Sequence, residues 1–398
     1  MVKQRAELTF KENIKKGRHG WVRLTPAYSV KLVYDILESN GNARHVLDPF
    51  SGTGTTGLAC AELGINATLV DINPFLIWLA GVKTAQYSYA DLIQTTRYAN
   101  VIVAAVKTEK RSSTAWTPPI HKIHRWWSTE RLLILAEIYQ RLREIETTNP
   151  VRNLLLIAFC RLLIEWSNAA FNHQSMSFKQ SEQTLFDETA MMTSAYVENV
   201  SKVVRAASKQ IAGEVRIIES DSRSLAVPTS TLYDCVITSP PYSNRMSYIR
   251  ELRPYMYWLG YLREAREAGE LDWKAIGGTW GVATSRLATW ISQNVFQSDS
   301  LDKLVSAVAT ESQVLANYIH KYMDDMFMHF CNLKAHLEDD ATLHYIVGNS
   351  KFYETVIPVE QLYAEMMSSV GFTDVQIERI RKRNSKKELY EYLVSARN

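Results

Sequence analysis

Asp48-Pro49-Phe50-Ser51-Gly52-Thr53-Gly54-Thr55-Thr56 is the stretch that decides the fold. Val46 and Leu47 are β-formers that run into it, and Thr56-Gly57-Leu58-Ala59-Cys60-Ala61-Glu62-Leu63 reads as a helix that stops near Gly64. Strand, glycine turn and helix in that order open an α/β unit. Gly52 and Gly54 let the backbone take φ values closed to other residues and approach a ligand with no Cβ in the way. The next strand, Ala67-Thr68-Leu69-Val70, ends in Asp71, where a carboxylate can accept hydrogen bonds from both hydroxyls of a ribose. Phe50, Thr55 and Ile72 flank this cradle for an adenosine-containing cofactor.

Two cofactors fit the glycine spacing. Gly52-x-Gly54-x-x-Gly57 matches the dinucleotide fingerprint, with Asp71 about 20 residues beyond its first glycine, so a hydride-transfer enzyme stays open on this string alone. Asp48 weighs against it. A carboxylate directly before the turn repels a pyrophosphate but pairs well with the ammonium of a methionine moiety, which favours S-adenosylmethionine. A glycine turn with no ligand is the structural alternative.

The second informative string is Thr238-Ser239-Pro240-Pro241-Tyr242, which follows the strand Leu232-Tyr233-Asp234-Cys235-Val236-Ile237. That placement puts it at the carboxyl edge of an open sheet, where ligands bind. The exocyclic amine of a nucleobase is a poor nucleophile because its lone pair is delocalised into the ring. If Ser239 Oγ and the Pro240 carbonyl both accept hydrogen bonds from the NH2, the nitrogen can pyramidalise and present that lone pair to a methyl group. Pro240 and Pro241 stiffen the loop, and Tyr242 offers a flat surface to a base that has left the duplex. An ordinary Pro-Pro turn after a strand is the alternative.

Together, Asp48 to Thr56 and Ser239 to Tyr242 resemble the paired motifs of the DNA amino-methyltransferases, which methylate cytosine N4 or adenine N6 with S-adenosylmethionine. The resemblance implies a class I methyltransferase fold, a mostly parallel seven-stranded α/β sheet with a helical insertion. It also implies a flipped target base. Serine ahead of Pro-Pro-Tyr is the form that leans toward cytosine N4. Arg23-Leu24-Thr25-Pro26-Ala27-Tyr28 looks like the segment that closes over the methionine end of the cofactor, with Thr25 and Pro26 as contacts. Asp221 and Ser222, just after the strand Val215-Arg216-Ile217-Ile218, occupy the place of the family residues at the adenine amine. Leu343 to Ser350 is similar to a late core strand. Many cytosine-N4 enzymes carry the Ser-Pro-Pro-Tyr string first, whereas here the cofactor string leads; the permutation leaves the place of target recognition open.

Composition agrees with such an enzyme. The 398 residues are 46% hydrophobic, ample for one large domain or a core with a sizeable insertion. No stretch is long and apolar enough to span a membrane, and the Met-Val-Lys-Gln start lacks a signal-peptide core, which predicts a soluble intracellular protein; the resemblance implies the prokaryotic cytoplasm and association with the nucleoid. Cys60, Cys160, Cys235 and Cys331 are scattered, so neither a metal site nor a disulfide framework is expected. No Pro-Cys dipeptide occurs, and that removes the thiolate route to carbon-5 methylation of cytosine. The net charge of +3 is small, but basic residues cluster in residues 1–31 and again over Arg379-Ile380-Arg381-Lys382-Arg383-Asn384-Ser385-Lys386-Lys387. Such clusters can neutralise phosphates or be plain solvated faces.

The spacing of core strands sets the expected organisation: residues 1–85 and 211–398 as the catalytic core, 86–210 as a helical insertion, and 249–335 as a helical stretch with a part in target recognition. Arg245, Arg250 and Arg253 follow the catalytic loop and are the candidate DNA contacts. Val305 to Met328 reads as one helix. Trp126 and Trp127, amid His121, Lys122, His124 and Arg125, are candidates either for DNA contact or for packing. The expected partners are double-stranded DNA and a cognate restriction endonuclease, the expected state a monomer or homodimer. Three rivals stand beside cytosine N4: adenine N6 methylation, an RNA or protein amide methyltransferase of the same fold, and a catalytically silent DNA-binding module.

Overall fold

The computed structural model describes residues 5–24, 27–108, 115–170, 177–178, 187–279, 282–293, 295–383 and 388–398. Thr25, Pro26, most of the segment 168–179, Trp280, Gly281 and the basic stretch Asn384 to Lys387 lie outside them.

The main sheet has seven strands. In chain order they are β1 (His45–Asp48), β2 (Asn66–Asp71), β3 (Val215–Glu219), β4 (Tyr233–Thr238), β5 (Leu337–Gly348), β6 (Thr373–Lys382) and β7 (Tyr390–Arg397). Their spatial order is β3-β2-β1-β4-β5-β7-β6. β1 runs parallel to β2 and β4, β2 to β3 and β4 to β5, whereas β7 is antiparallel to both its neighbours. The chain builds outward from β1 in one direction and then returns to build in the other. Strand order therefore reverses between β1 and β4, and a crevice opens beyond their carboxyl ends.

Burial on both faces explains the near-continuous apolar strands. Along β5, Leu343, Tyr345 and Val347 enter one core with helices Gln313–Leu333 and Val359–Val370, while Ile346 enters the opposite core with helix Val30–Asn40. Between β2 and β3 run helices Tyr89–Thr108, Thr129–Glu144, Asn149–Glu165 and Glu188–Ala207. They share a third core with helices Pro74–Thr84 and Tyr248–Trp258. Trp126 and Trp127 are buried in that core, with the Trp127 indole donating to the Leu163 carbonyl at 3.0 Å, so both pack rather than face a ligand. The stretch read as one helix from Val305 to Met328 is two, Asp299–Ala309 and Gln313–Leu333. Ser312 makes the break: its hydroxyl caps the second helix by accepting from the Leu315 amide. Among the described residues no helix is long and apolar enough to cross a membrane.

Arg18 ties together the ends of two helices of this third core. Its buried guanidinium donates to the carbonyls of Lys83 and Ala85 at the end of one helix and of Ala206, Ala207 and Lys209 at the end of another. A cation at two helix C-termini satisfies carbonyls that have no partner within their own helices. Arg18→Met is expected to lower unfolding free energy by about 3 kcal/mol, because those acceptors stay buried without donors. Urea denaturation followed by circular dichroism measures it; an unchanged midpoint would contradict this account of the junction.

Candidate active site

The glycine turn after β1 works as a close-approach loop. Gly52 (φ +50°) and Gly54 (φ +74°) adopt left-handed backbone, and a Cβ on Gly54 would come within 3.0 Å of the Ala80 Cβ. The Gly52 amide donates to Asp71 Oδ2 at 2.9 Å, and the Asn73 amide donates to Oδ1 at 2.8 Å. The two halves of the cradle are thereby tied together. Burial pushes the Asp71 carboxyl up to about 7, against the pull of those backbone donors.

One cleft of about 980 Å³, counted to its open mouth, lies beyond the carboxyl ends of β1, β2, β3 and β4. Phe50, Gly52, Thr55, Asp71, Ile72, Asp221, Ser222, Ser239 and Pro241 all line it. Thr25 and Pro26 fall outside the described residues, and their neighbours Leu24, Ala27 and Tyr28 form part of the wall. Gly54, Pro240 and Tyr242 stand behind the wall, with Pro240 buried and Tyr242 half-buried.

Asp48 is fully buried and also stands behind the wall. Its carboxylate accepts from Thr238 Oγ1 at 2.6 Å, from Tyr28 Oη at 3.0 Å and from the Phe50 amide at 3.1 Å. Tyr28 also hydrogen-bonds Thr56 Oγ1, which donates to the Ile237 carbonyl at 3.2 Å. Burial raises the Asp48 pKa, while the Thr238, Thr56 and Tyr28 hydroxyls and the Phe50 amide work the other way. The residue that meets the cleft is Tyr28, and Asp48 holds it there.

At the far end, burial opposes ionisation of Asp221, but Arg223 grips the carboxylate with its Nε, Nη2 and backbone amide and holds it below the usual range. Arg223 also pairs with Asp325 at 3.0 Å. His329 lies behind Ser222, with Nδ1 at 2.9 Å from the Ser222 carbonyl and Nε2 at 2.6 Å from Tyr345 Oη. Burial lowers its pKa to about 4, which leaves the ring neutral.

The Ser239 hydroxyl donates to the Ile346 carbonyl at 2.9 Å, which orients its lone pairs away from β5. Tyr322 donates to the Pro241 carbonyl at 2.7 Å, the Tyr242 amide donates to Tyr248 Oη at 3.2 Å, and the Arg245 amide to Tyr318 Oη at 3.3 Å. Tyr318 and Tyr322 stand one turn apart on helix Gln313–Leu333, so that helix clamps the catalytic loop. Arg245 is exposed with φ +59°; Arg250 and Arg253 are half-buried on helix Tyr248–Trp258 and neither lines the cleft. Met246, Tyr248, Ile249, Asp272, Lys274, Ala275, Ile276 and Gly278 also line the wall. Most of these belong to the stretch expected to have a part in reading DNA. Helical periodicity does not mark them, because a helix pattern carries no record of which sheet edge the chain returns to.

A family model described as DNA methylase matches residues 11–81, the segment that holds the glycine turn and Asp71. The type II methyltransferase M.BsoBI of Geobacillus stearothermophilus is 22% identical across 97% of this chain and 85% of its own length. These matches make the chain similar to the S-adenosylmethionine-dependent DNA amino-methyltransferases. The type II methyltransferase M.AvaI of Nostoc sp. is 24% identical over 61% of the chain and 54% of its own length, so the chain spans about half of that relative. M.MjaII of Methanocaldococcus jannaschii is 45% identical over 12% of the chain. Among solved structures, an rRNA methyltransferase of Streptomyces viridochromogenes aligns with TM-score 0.30 at 12% identity.

S-adenosylmethionine, the methyl donor of the enzymes this chain resembles, fits the residues present. The glycine turn leaves room for close approach, Asp71 and Asp221 face the cleft as acceptors, and the rest of the wall is largely apolar. The hydrogen bond from Thr238 to Asp48 links the cofactor loop to the catalytic loop. Thr238→Val, which keeps the shape and removes the donor, is expected to cost about 1–3 kcal/mol of stability. Chemical denaturation of the two proteins checks this, and equal midpoints would show that the link is dispensable.

Proposed function

We propose that the protein methylates the exocyclic N4 of cytosine in double-stranded DNA at a specific sequence, as part of a restriction-modification or defence system. The observation that carries this reading is the meeting of Ser239 with Gly52, Asp71 and Asp221 in a single cleft. In this reading Asp71 takes the ribose hydroxyls, Asp221 and Ser222 the adenine, and Tyr28, oriented by Asp48, closes the methionine end. S-adenosylmethionine supplies the methyl group.

The target base leaves the duplex to reach the loop. Ser239 Oγ, whose proton is already committed to Ile346, accepts from one hydrogen of the base amine, and the Pro240 carbonyl accepts from the other. Withdrawn from conjugation, the nitrogen lone pair points at the methyl group. Tyr242 supports the base by stacking. Arg245, beside the catalytic loop and exposed, is the DNA contact we favour; Arg250 and Arg253 are placed to support it from the helix behind. The type II relatives support DNA as substrate and a restriction partner for this chain.

Mass spectrometry of nucleosides from DNA of cells that express the protein is expected to find N4-methylcytosine; N6-methyladenine would overturn the base assignment. Ser239→Ala is expected to cut kcat by two to three orders of magnitude while the Kd for S-adenosylmethionine changes less than about threefold. Full activity in that variant would remove the amine-polarising role.

The raised pKa of Asp71 sets a pH dependence. Ribose hydroxyls donate, so they bind the ionised carboxylate better than the protonated one. Cofactor affinity is therefore expected to rise as pH increases through about 7, and Asp71→Asn is expected to flatten the profile. Titration calorimetry between pH 6 and 8 reads both.

A further inference from the structure

The ring of Tyr242 already carries a flat partner. The Arg383 guanidinium lies 4.7 Å from its centroid, and Nη1 donates to the Asn349 carbonyl at 2.9 Å. Gly348 makes the room: a Cβ there would stand 2.2 Å from Arg383 Nη1 and 3.0 Å from the tyrosine ring. The ring itself is firmly held. Its hydroxyl donates to Glu391 Oε1 at 2.6 Å, and Arg381 binds the same carboxylate through Nε at 2.7 Å and Nη2 at 3.1 Å.

The two arginines therefore differ in how they are held. Arg381 is fixed by a paired charge, whereas the partners of Arg383 are a carbonyl and a π face, and among the described residues no carboxylate pairs with it. A guanidinium is planar, stacks on aromatic rings much as a base does, and matches a phosphate with two parallel donors. An arriving base competes for the same face by stacking, and DNA brings phosphates with it.

We propose that Arg383 covers the stacking face of Tyr242 in the DNA-free protein and moves to a backbone phosphate beside the target nucleotide when the base takes its place on the ring. This rests on the reading of Tyr242 as the support of the flipped base. Arg383 is a positioning residue: it keeps the ring covered before binding and converts arrival of the base into a charged contact. Nothing in the transfer step itself passes through it.

The test compares the wild type, Arg383→Met and Arg383→Lys, using tritiated S-adenosylmethionine and unmethylated amplified DNA of mixed sequence over a range of salt concentrations. Methionine keeps an unbranched apolar stem without the charge, lysine keeps the charge. Arg383→Met is expected to raise KM for DNA about tenfold near physiological salt and to lower the slope of log KM against log salt by about one. Arg383→Lys is expected to restore the slope, with KM between the other two. The Kd for S-adenosylmethionine stays at the wild-type value in both. A raised KM with an unaltered salt slope would mean that only shape was lost, and it overturns the phosphate contact. An active wild type with an indistinguishable Arg383→Met overturns the inference alone. A wild type that labels no DNA overturns the reading of the site and the inference with it.

Discussion

The Thr238–Asp48 hydrogen bond, 2.6 Å long and closed to solvent, is the joint on which the site depends. Asp48 ends the strand that feeds the cofactor turn, and Thr238 ends the neighbouring strand that feeds the catalytic loop. Their bond sets the separation of the two loops at the point where strand order reverses. A carboxylate buried at this depth is costly unless several donors surround it, and Thr238, Tyr28 and the Phe50 amide meet that need. The same set of bonds orients Tyr28 toward the cleft. Electrostatics inside the sheet edge thus fixes geometry outside it.

Around that joint the protein repeats one device: loops at the carboxyl edge are pinned by groups from elsewhere in the chain. Asp71 holds Gly52, His329 holds Ser222, Tyr322 holds Pro241, and Asp325 holds Arg223, which in turn grips the neighbouring Asp221. Preorganisation of this sort is what a transfer to a poor nucleophile needs, because the loops do not have to reorganise as charge develops. The reversed strand β7 contributes as well, through Glu391, which fixes the Tyr242 hydroxyl.

Much of the sheet was legible in the sequence because parallel strands buried on both faces leave short apolar runs, and the glycine turn and the Pro-Pro pair mark where two of them end. The seven-stranded, mostly parallel arrangement was implied by the family resemblance rather than by that unit, and the sheet has it. What was not legible is long-range. The role of Asp48 as a structural centre depends on Thr238 and Tyr28, neither adjacent to it in sequence, and the bare motif suggested a direct ligand contact. Asp272, Ile276 and Gly278 line the cleft from beyond helix Tyr248–Trp258, and no periodicity encodes that return of the chain. Trp126 and Trp127 read equally well as ligands or anchors until their burial decided the matter.

The central claim is that the cofactor turn and the catalytic loop form one site across the Asp48–Thr238 joint. A crystal structure with S-adenosylhomocysteine, the demethylated cofactor, tests it most directly. The account predicts the ribose hydroxyls on Asp71, the adenine beside Asp221 and the sulfur turned toward Ser239. A ligand held elsewhere on the molecule, or with its sulfur directed away from Ser239, would contradict it.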